Sequence, residues 1–177
     1  MIYARELIED ITPVEIIQSI EWTKATNFVI NTEVIGGRHW RERADCINQS
    51  DVLEWLDNQS PTIVVATDGS LRDSTTAWAV AAWTSDAQRV FEWSTARDGR
   101  SSSFRAECEA YEDALVWLSQ VTTVADRTYL LTDSLSLISK IQAGRIKENW
   151  VSLFRGIKGH FVSVYVPGHC GISFNSG

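Results

Sequence analysis

The stretch "TIVVATDGS", residues 62–70, decides how the rest of the chain is understood. It is a short apolar run rich in β-branched residues, and it ends in Asp-Gly-Ser. Such a run is typical of a strand buried in the middle of a sheet and followed by a turn. The sequence therefore predicts a central strand that carries Asp68 at or near its end.

The segments after this strand predict an α/β domain. "TTAWAVAAW" (75–83) and "QRVFEWSTA" (88–96) are separated by the turn-like "TSDA", which indicates a three-strand antiparallel meander. Apolar spacings of three and four then predict helices, and apolar runs predict strands. The order gives a five-stranded mixed sheet, the meander plus parallel strands, flanked by helices. The later elements are a helix at 101–121, a strand at 128–134, a helix at 135–144, a helix at 147–158 and a strand at 160–168. Ser134 is the predicted cap of the helix at 135–144, and Gly144 its predicted end.

Residues 1–60 have a different pattern, and we expect them to form an N-terminal helical connector of unknown role, separate from a domain at 61–177. "TPVEIIQSIEW" (12–22) predicts a helix with Thr12 as N-cap, and "SDVLEWL" (50–56) a second helix capped by Ser50. Between them lies a small basic cluster at 38–43. A solvated loop is the favoured interpretation of this cluster, although contact with nucleic acid stays open.

Composition limits the classes of function. The chain has 177 residues, of which 44% are hydrophobic and 22% charged, as in ordinary globular domains. Neither a membrane-spanning run nor a signal peptide is evident, so we expect an intracellular protein, nuclear or cytoplasmic, that is neither membrane-bound nor secreted. Three widely spaced cysteines fit reduced thiols. The net charge of −7 argues against nucleic acid unless bound metal ions contact the phosphates.

Three carboxylates occupy positions that predict a shared site. Asp68 ends the first strand, Asp133 ends the strand at 128–134, and Glu107 lies in an otherwise apolar part of a helix. If the two strands pair in parallel, their carboxyl ends bring the two aspartates together. Clustered carboxylates repel unless a cation neutralises them, and oxygen ligands favour Mg²⁺ or Mn²⁺. Two such ions about 4 Å apart suit phosphoryl displacement.

Each residue has an ordinary alternative when it is taken alone. An Asp before Gly-Ser is usually a turn residue, and an Asp before a helix usually caps it. Glu107 alone would be a solvated helix residue, and His169 a loop residue.

Taken together and in order, "TDGS", "SFRAECEAYEDAL", "LLTDSLSLI" and "VPGHCGISFN" resemble the type I ribonuclease H domain. The version is close to those attached to reverse transcriptases of non-LTR retrotransposons, and the resemblance covers residues 61–177. It implies a ribonuclease H-like fold and endonucleolytic hydrolysis of the RNA strand of RNA–DNA hybrids, leaving 5′-phosphate and 3′-hydroxyl ends.

The same resemblance implies roles for individual residues. Asp68, Glu107 and Asp133 would be catalytic ligands for two Mg²⁺ or Mn²⁺ ions, and His169 would assist proton transfer or product release. Seven further positions match those that bind the hybrid: Gly69, Ser70, Ser102, Ser103, Arg105, Ser134 and Asn175.

Two departures from the family keep an alternative open. The segment between Asp133 and His169 lacks a basic protrusion, which suggests that a linked reverse transcriptase domain supplies affinity for the hybrid. The family also has an Asp about ten residues after the histidine, and this sequence stops before it. The alternative is therefore a catalytically incomplete module with a structural or nucleic-acid-binding role, and a different nuclease or integrase on the same fold is a third possibility.

Overall fold

The computed structural model describes residues 22–24, 30–35, 46–99, 102–121 and 126–168. Within these ranges the strands are β1 (Trp22–Lys24), β2 (Asn31–Val34), β3 (Ile63–Arg72), β4 (Thr75–Thr84), β5 (Arg89–Asp98), β6 (Arg127–Thr132), β7 (Arg145–Lys147) and β8 (His160–Tyr165). The helices are α1 (Gln49–Asn58), α2 (Ser103–Gln120), α3 (Leu135–Gln142) and α4 (Trp150–Gly156). None of the helices described is both long and apolar enough to cross a membrane.

Six strands form one mixed sheet in the order β2-β8-β6-β3-β4-β5. β3, β4 and β5 form the predicted antiparallel meander, while β6 and β8 continue the sheet in parallel on the other side of β3. The predicted α/β architecture is therefore confirmed. The sheet has one strand more than the five expected, because β2 adds to its edge parallel to β8. A separate two-stranded sheet joins β1 and β7.

Two hydrophobic layers cover the sheet, one on each face. On one face α2, α3 and α4 pack over the sheet, with Val65 of β3 in that layer. On the other face α1 packs over β3, β6 and β8, and the neighbouring Val64 belongs to this second layer. Successive side chains of a strand point to opposite faces. The uninterrupted apolar run of β3 is thus explained by burial on both faces.

The described residues before position 60 are part of these layers. Val52 and Leu56 of α1 are 0% and 5% exposed, and both lie in the layer over β6 and β8. The predicted helix at 12–22 lies outside the described residues except for Trp22, which starts β1 instead. The boundary at residue 60 stays a prediction about domain organisation.

The caps show where local sequence rules succeeded and where they did not. Ser134 caps α3 as predicted, and Gly144 follows α3 with a φ of 77°; Ser102 caps α2. The predicted cap Ser50 is wrong: it lies inside α1, whose N-cap is Asn48. The reason is a reciprocal capping box, in which the Asn48 side chain accepts from the Asp51 N–H and the Asp51 carboxylate accepts from the Asn48 N–H.

The predicted helix at 147–158 is shorter in the structure, since α4 covers only Trp150–Gly156. Lys147 lies in β7, opposite Trp22 of β1. A three-residue strand whose partner is far away in the sequence leaves no local pattern.

Candidate metal centre

Two of the three carboxylates come from neighbouring parallel strands. The ladder between β3 and β6 ends with Ala66 opposite Leu131, so Asp68 and Asp133 both lie two residues beyond that pair. Since side chains alternate along a strand, residues two positions beyond a matched pair project on the same side. The parallel pairing that the sequence predicted therefore brings the two aspartates together.

Thr67 holds the ends of these two strands together. Its hydroxyl Oγ1 donates to the carbonyl oxygen of Leu131 at 2.9 Å, and the bond is buried. This hydrogen bond runs from the residue before Asp68 to Leu131, the β6 residue in the last pair of the ladder, so it ties the two strands together next to the aspartates. Sequence analysis did not single out Thr67; the available signal was a hydroxyl within an otherwise apolar run.

The third carboxylate reaches the site from α2. This helix packs over β3 so closely that the backbone of Ala106 and Glu107 lies against Gly69. Glu107 lies in the second turn of α2 and is only 9% exposed. Its side chain is thus directed toward the sheet, in agreement with its predicted position in an otherwise apolar part of a helix.

The three side chains form one cluster. Asp68, Glu107 and Asp133 each offer a ligand atom, and these atoms all lie within 4.8 Å of one another. Burial, a hydrogen bond with Asp133 and the charges of Asp133 and Asp68 together raise the pKa of Glu107 to about 10. Burial and the charge of Asp133 also raise the pKa of Asp68. Three anions this close disfavour one another's ionisation.

The residues fit a divalent cation. Glu107 Oε1 and Asp133 Oδ1 are buried and have no hydrogen-bond partner among the described residues. Buried polar atoms are normally paired, so one unpaired oxygen on each of these two carboxyl groups points to a positively charged partner. A set made only of carboxylate oxygens suits Mg²⁺ or Mn²⁺.

The loop after β8 reaches the same site. A Cβ placed on Gly168 would lie 3.3 Å from Asp133 Oδ2, so the last described residue touches the cluster. His169, predicted to assist catalysis, follows it in the sequence but lies outside the described residues, as does Asn175. Their roles stay predictions.

The other described residues predicted to bind substrate differ in their local surroundings. The Ser102 and Ser134 hydroxyls accept hydrogen bonds from the backbone N–H groups of Arg105 and Leu137 as helix caps. Ser70 and Ser103 are exposed, and the Arg105 side chain is half-buried. Both capping serines therefore have hydroxyls that already accept a hydrogen bond, and Ser134 directly follows Asp133 in the chain.

An open groove of about 440 Å³ extends from Asp68 across the outer part of the meander. Several of its lining residues are neighbours across the strands, since Asp68 lies opposite Ala79 and Ala79 opposite Ser94. Small side chains occupy most of it: the lining residues are Asp68, Ser70, Ala77, Trp78, Ala79, Ser94, Thr95 and Ala96.

Two secondary expectations concern other parts of the chain. Cys46 and Cys108 are free thiols, and burial raises the pKa of Cys108 to about 12, so that this thiol stays protonated. Cys170 and the basic cluster at 38–43 lie outside the described residues.

Comparison with known proteins identifies the fold. No protein family model matches the chain, and no curated protein does. The crystal structure of LC11-RNase H1 in complex with an RNA/DNA hybrid is 20% identical, with a TM-score of 0.51, and the match covers 60% of this chain and 86% of that one. A structure of the same protein, isolated from compost by a metagenomic approach, matches with 20% identity, a TM-score of 0.51 and coverages of 60% and 85%.

A third structure, RNase H1 from the halophilic archaeon Halobacterium salinarum, has 19% identity and coverages of 60% and 86%. Its TM-score of 0.49 is too low to add to the assignment. The two matches to LC11-RNase H1 show that the chain has the ribonuclease H-like fold that the sequence predicted.

Proposed function

We propose that this protein is a metal-dependent ribonuclease that hydrolyses the RNA strand of RNA–DNA hybrids. The observation that carries the proposal is the cluster of Asp68, Glu107 and Asp133, whose ligand atoms lie within 4.8 Å of one another. The proposal draws further support from the fold, which LC11-RNase H1 shares in a structure described as a complex with an RNA/DNA hybrid.

Asp68, Glu107 and Asp133 would hold two Mg²⁺ or Mn²⁺ ions. Bound divalent cations supply a Lewis acid that activates water and neutralises charge on the phosphate that is cleaved. The chain contributes three carboxylates from three different elements, β3, α2 and the end of β6, which a single core holds in place. Asp68 is the most accessible of the three and lines the open groove, so it is the one that would meet the substrate.

Around the cluster, the substrate would be held mainly by uncharged groups, with Arg105 as the cationic member of the set. Ser70 is exposed beside Asp68, and its hydroxyl suits the 2′-hydroxyl of a ribose, which is how proteins distinguish RNA from DNA. His169 follows Gly168, which touches Asp133, and we assign to its imidazole the transfer of a proton or the release of product. Gly69, Ser102, Ser103, Arg105, Ser134 and Asn175 complete the proposed binding set.

The electrostatics suggest that a partner supplies part of the affinity for the hybrid. The chain carries a net charge of −7, whereas contacts of lysine and arginine with phosphates provide most non-specific affinity. We propose that a linked or associated reverse transcriptase domain, in an intracellular retrotransposon machinery, provides the missing cationic surface. This part of the proposal rests on charge and on the resemblance of the sequence motifs.

Cleavage of a labelled RNA–DNA hybrid tests the proposed reaction. With Mg²⁺ or Mn²⁺ present, the wild-type chain should release RNA fragments with 5′-phosphate ends, and Asp68→Asn should abolish cleavage. Asp73→Asn is the matched control, because Asp73 lies in the β3–β4 turn with a φ of 55°, a conformation that Asn tolerates.

Wild-type cleavage by Asp68→Asn would show that the site is wrong. If the chain binds both metal and hybrid but cleaves neither strand, the non-catalytic module is the better account. If it binds neither, the proposed function fails altogether.

A further inference from the structure

We propose that Gly69 is a positioning residue: its lack of a side chain lets α2 come close enough to β3 to bring the Glu107 carboxylate to the two aspartates. The inference rests on the proposed role of the cluster as a metal centre. It assigns to Gly69 a task in building the site, in addition to any contact with substrate.

The evidence is a close approach of backbone to backbone. A Cβ added to Gly69 would lie 2.5 Å from the carbonyl carbon of Ala106, 2.6 Å from the N atom of Glu107 and 2.7 Å from the carbonyl oxygen of Ala106. Real Cβ atoms do not come closer than 3.0 Å to other heavy atoms. Because all three neighbours are backbone atoms, no side-chain rotation can relieve the contact, and either the helix or the strand must move.

Gly69 is also joined to the carboxylates through its own backbone. Hydrogen bonding from the Gly69 N–H lowers the pKa of both Asp68 and Glu107, against the larger effect of burial. Its N–H therefore favours the ionised form of both carboxyl groups.

The displacement caused by a side chain at position 69 would be concentrated at Glu107. Further along α2, the Asp113 carboxylate accepts from the Trp78 indole at 2.7 Å, and Tyr111 hydrogen-bonds Ser163. These contacts fix the middle of the helix, whereas the clash falls on Ala106 and Glu107 themselves, so a shift of the helix there displaces the Glu107 carboxylate directly. A shift of about half an ångström already exceeds the tolerance of a preorganised site.

Calorimetric titration of the full chain with Mn²⁺ tests this role without relying on cleavage. Gly69→Ala should weaken Mn²⁺ binding by about 10- to 100-fold, the range found when residues that orient metal ligands are changed. The matched control is Gly156→Ala in α4. Its Cβ would lie 3.2 Å from the Cβ of Ser119, which is near the C-terminal end of α2. It disturbs α2 away from the site and should leave the affinity within about twofold of wild type.

Two further variants separate positioning from general damage. In a Glu107→Gln background, adding Gly69→Ala should cause less than about a twofold further loss, because residues that act through one another are not additive. Glu107→Asp withdraws the carboxylate by one methylene without any clash, so it should reproduce the loss in a protein that folds normally. This second variant gives a result even if Gly69→Ala does not fold.

The outcomes distinguish this inference from the proposed function. If wild type does not bind Mn²⁺, or if Asp68→Asn binds it unchanged, the metal centre itself is refuted. If wild type binds and Asp68→Asn does not, but Gly69→Ala or Glu107→Asp keeps wild-type affinity, only the positioning role is overturned. A full additive loss in the Glu107→Gln background would likewise overturn it.

Discussion

Replacing Glu107 by Gln should stabilise the metal-free protein at neutral pH while removing a metal ligand. The structure places this carboxyl group beside Asp68 and Asp133 with only 9% of the residue exposed. In the absence of metal, the folded chain must either bury three negative charges or take up a proton. Gln has the same shape, carries no charge, and offers an amide N–H to Asp133 where a protonated Glu107 would offer its O–H.

The magnitude follows from the raised pKa. Burial and the two aspartates raise the pKa of Glu107 from 4.5 to about 10, so at pH 7.5 the group is charged in the unfolded chain and protonated in the folded one. One pKa unit corresponds to about 1.4 kcal/mol, and pH 7.5 lies about 3 units above the pKa of Glu107 in the unfolded chain. Glu107 therefore lowers the free energy of unfolding of the metal-free chain at pH 7.5 by at most about 4 kcal/mol. Glu107→Gln should recover most of this free energy.

The sign of the pH dependence is fixed by the direction of the shift. A group whose pKa is raised on folding contributes stability that is fully present below 4.5 and is lost as the pH rises toward about 10. The advantage of Glu107→Gln over wild type should therefore grow with pH. At pH 5.0 it should fall below about 1 kcal/mol.

Urea unfolding in EDTA, followed by tryptophan fluorescence at pH 5.0 and 7.5, measures this difference. Glu109→Gln is the matched control: Glu109 lies on the same helix and pairs with Arg97 at the surface, 3.3 Å away, so its loss should cost at most about 1 kcal/mol at either pH. Adding Mg²⁺ should stabilise wild type and have little effect on Glu107→Gln. A Glu107→Gln variant that is no more stable than wild type at pH 7.5 in EDTA would refute the reasoning.

Three further predictions concern the framework of the site. Thr67→Val removes a buried hydrogen bond and should lower the free energy of unfolding by about 1–3 kcal/mol in the same urea experiment. The control is Thr128→Val, because the Thr128 hydroxyl is also buried but has no partner in the described residues; this change should be neutral or stabilising. Trp150→Phe removes the indole that donates to Glu112 Oε1 at 2.7 Å, and should cost about 1–3 kcal/mol, seen as a lower thermal midpoint; a midpoint equal to wild type would contradict it. Deletion of residues 1–60 removes β2 and α1 and uncovers one face of the sheet. The shortened chain should bind a hydrophobic dye and unfold without cooperativity. A cooperative transition with an unchanged midpoint would show that this face does not need α1 to cover it.

The long elements and the three candidate carboxylates were predictable because their signals are local: strand ends for the two aspartates, and apolar helix neighbours for Glu107. The apolar run before Asp68 and the one before Asp133 each have the length and composition of a buried strand. Once the connection between them is recognised as a meander and a helix, parallel pairing of the two strands follows. Their carboxyl ends must then meet at one edge of the sheet.

The short strands were not predictable in the same way. β1 and β7 have three residues each, and β2 has four. Each exists because of a partner distant in the sequence, as β2 does beside β8. The sequence of such a segment carries too few residues to show a period, so only the folded chain decides its conformation.

The sequence by itself singled out Glu107 among the acids of α2, and only the tertiary structure decided what each of these acids contacts. Glu112 accepts from Lys147 and Trp150, and Asp113 accepts from two indoles. Glu109 pairs with Arg97. Glu107 alone of the four faces the aspartates, because Gly69 leaves the room for α2 to approach β3 at that turn. Helical periodicity assigns a side chain to a face, whereas the partner that it meets depends on how closely two backbones pack.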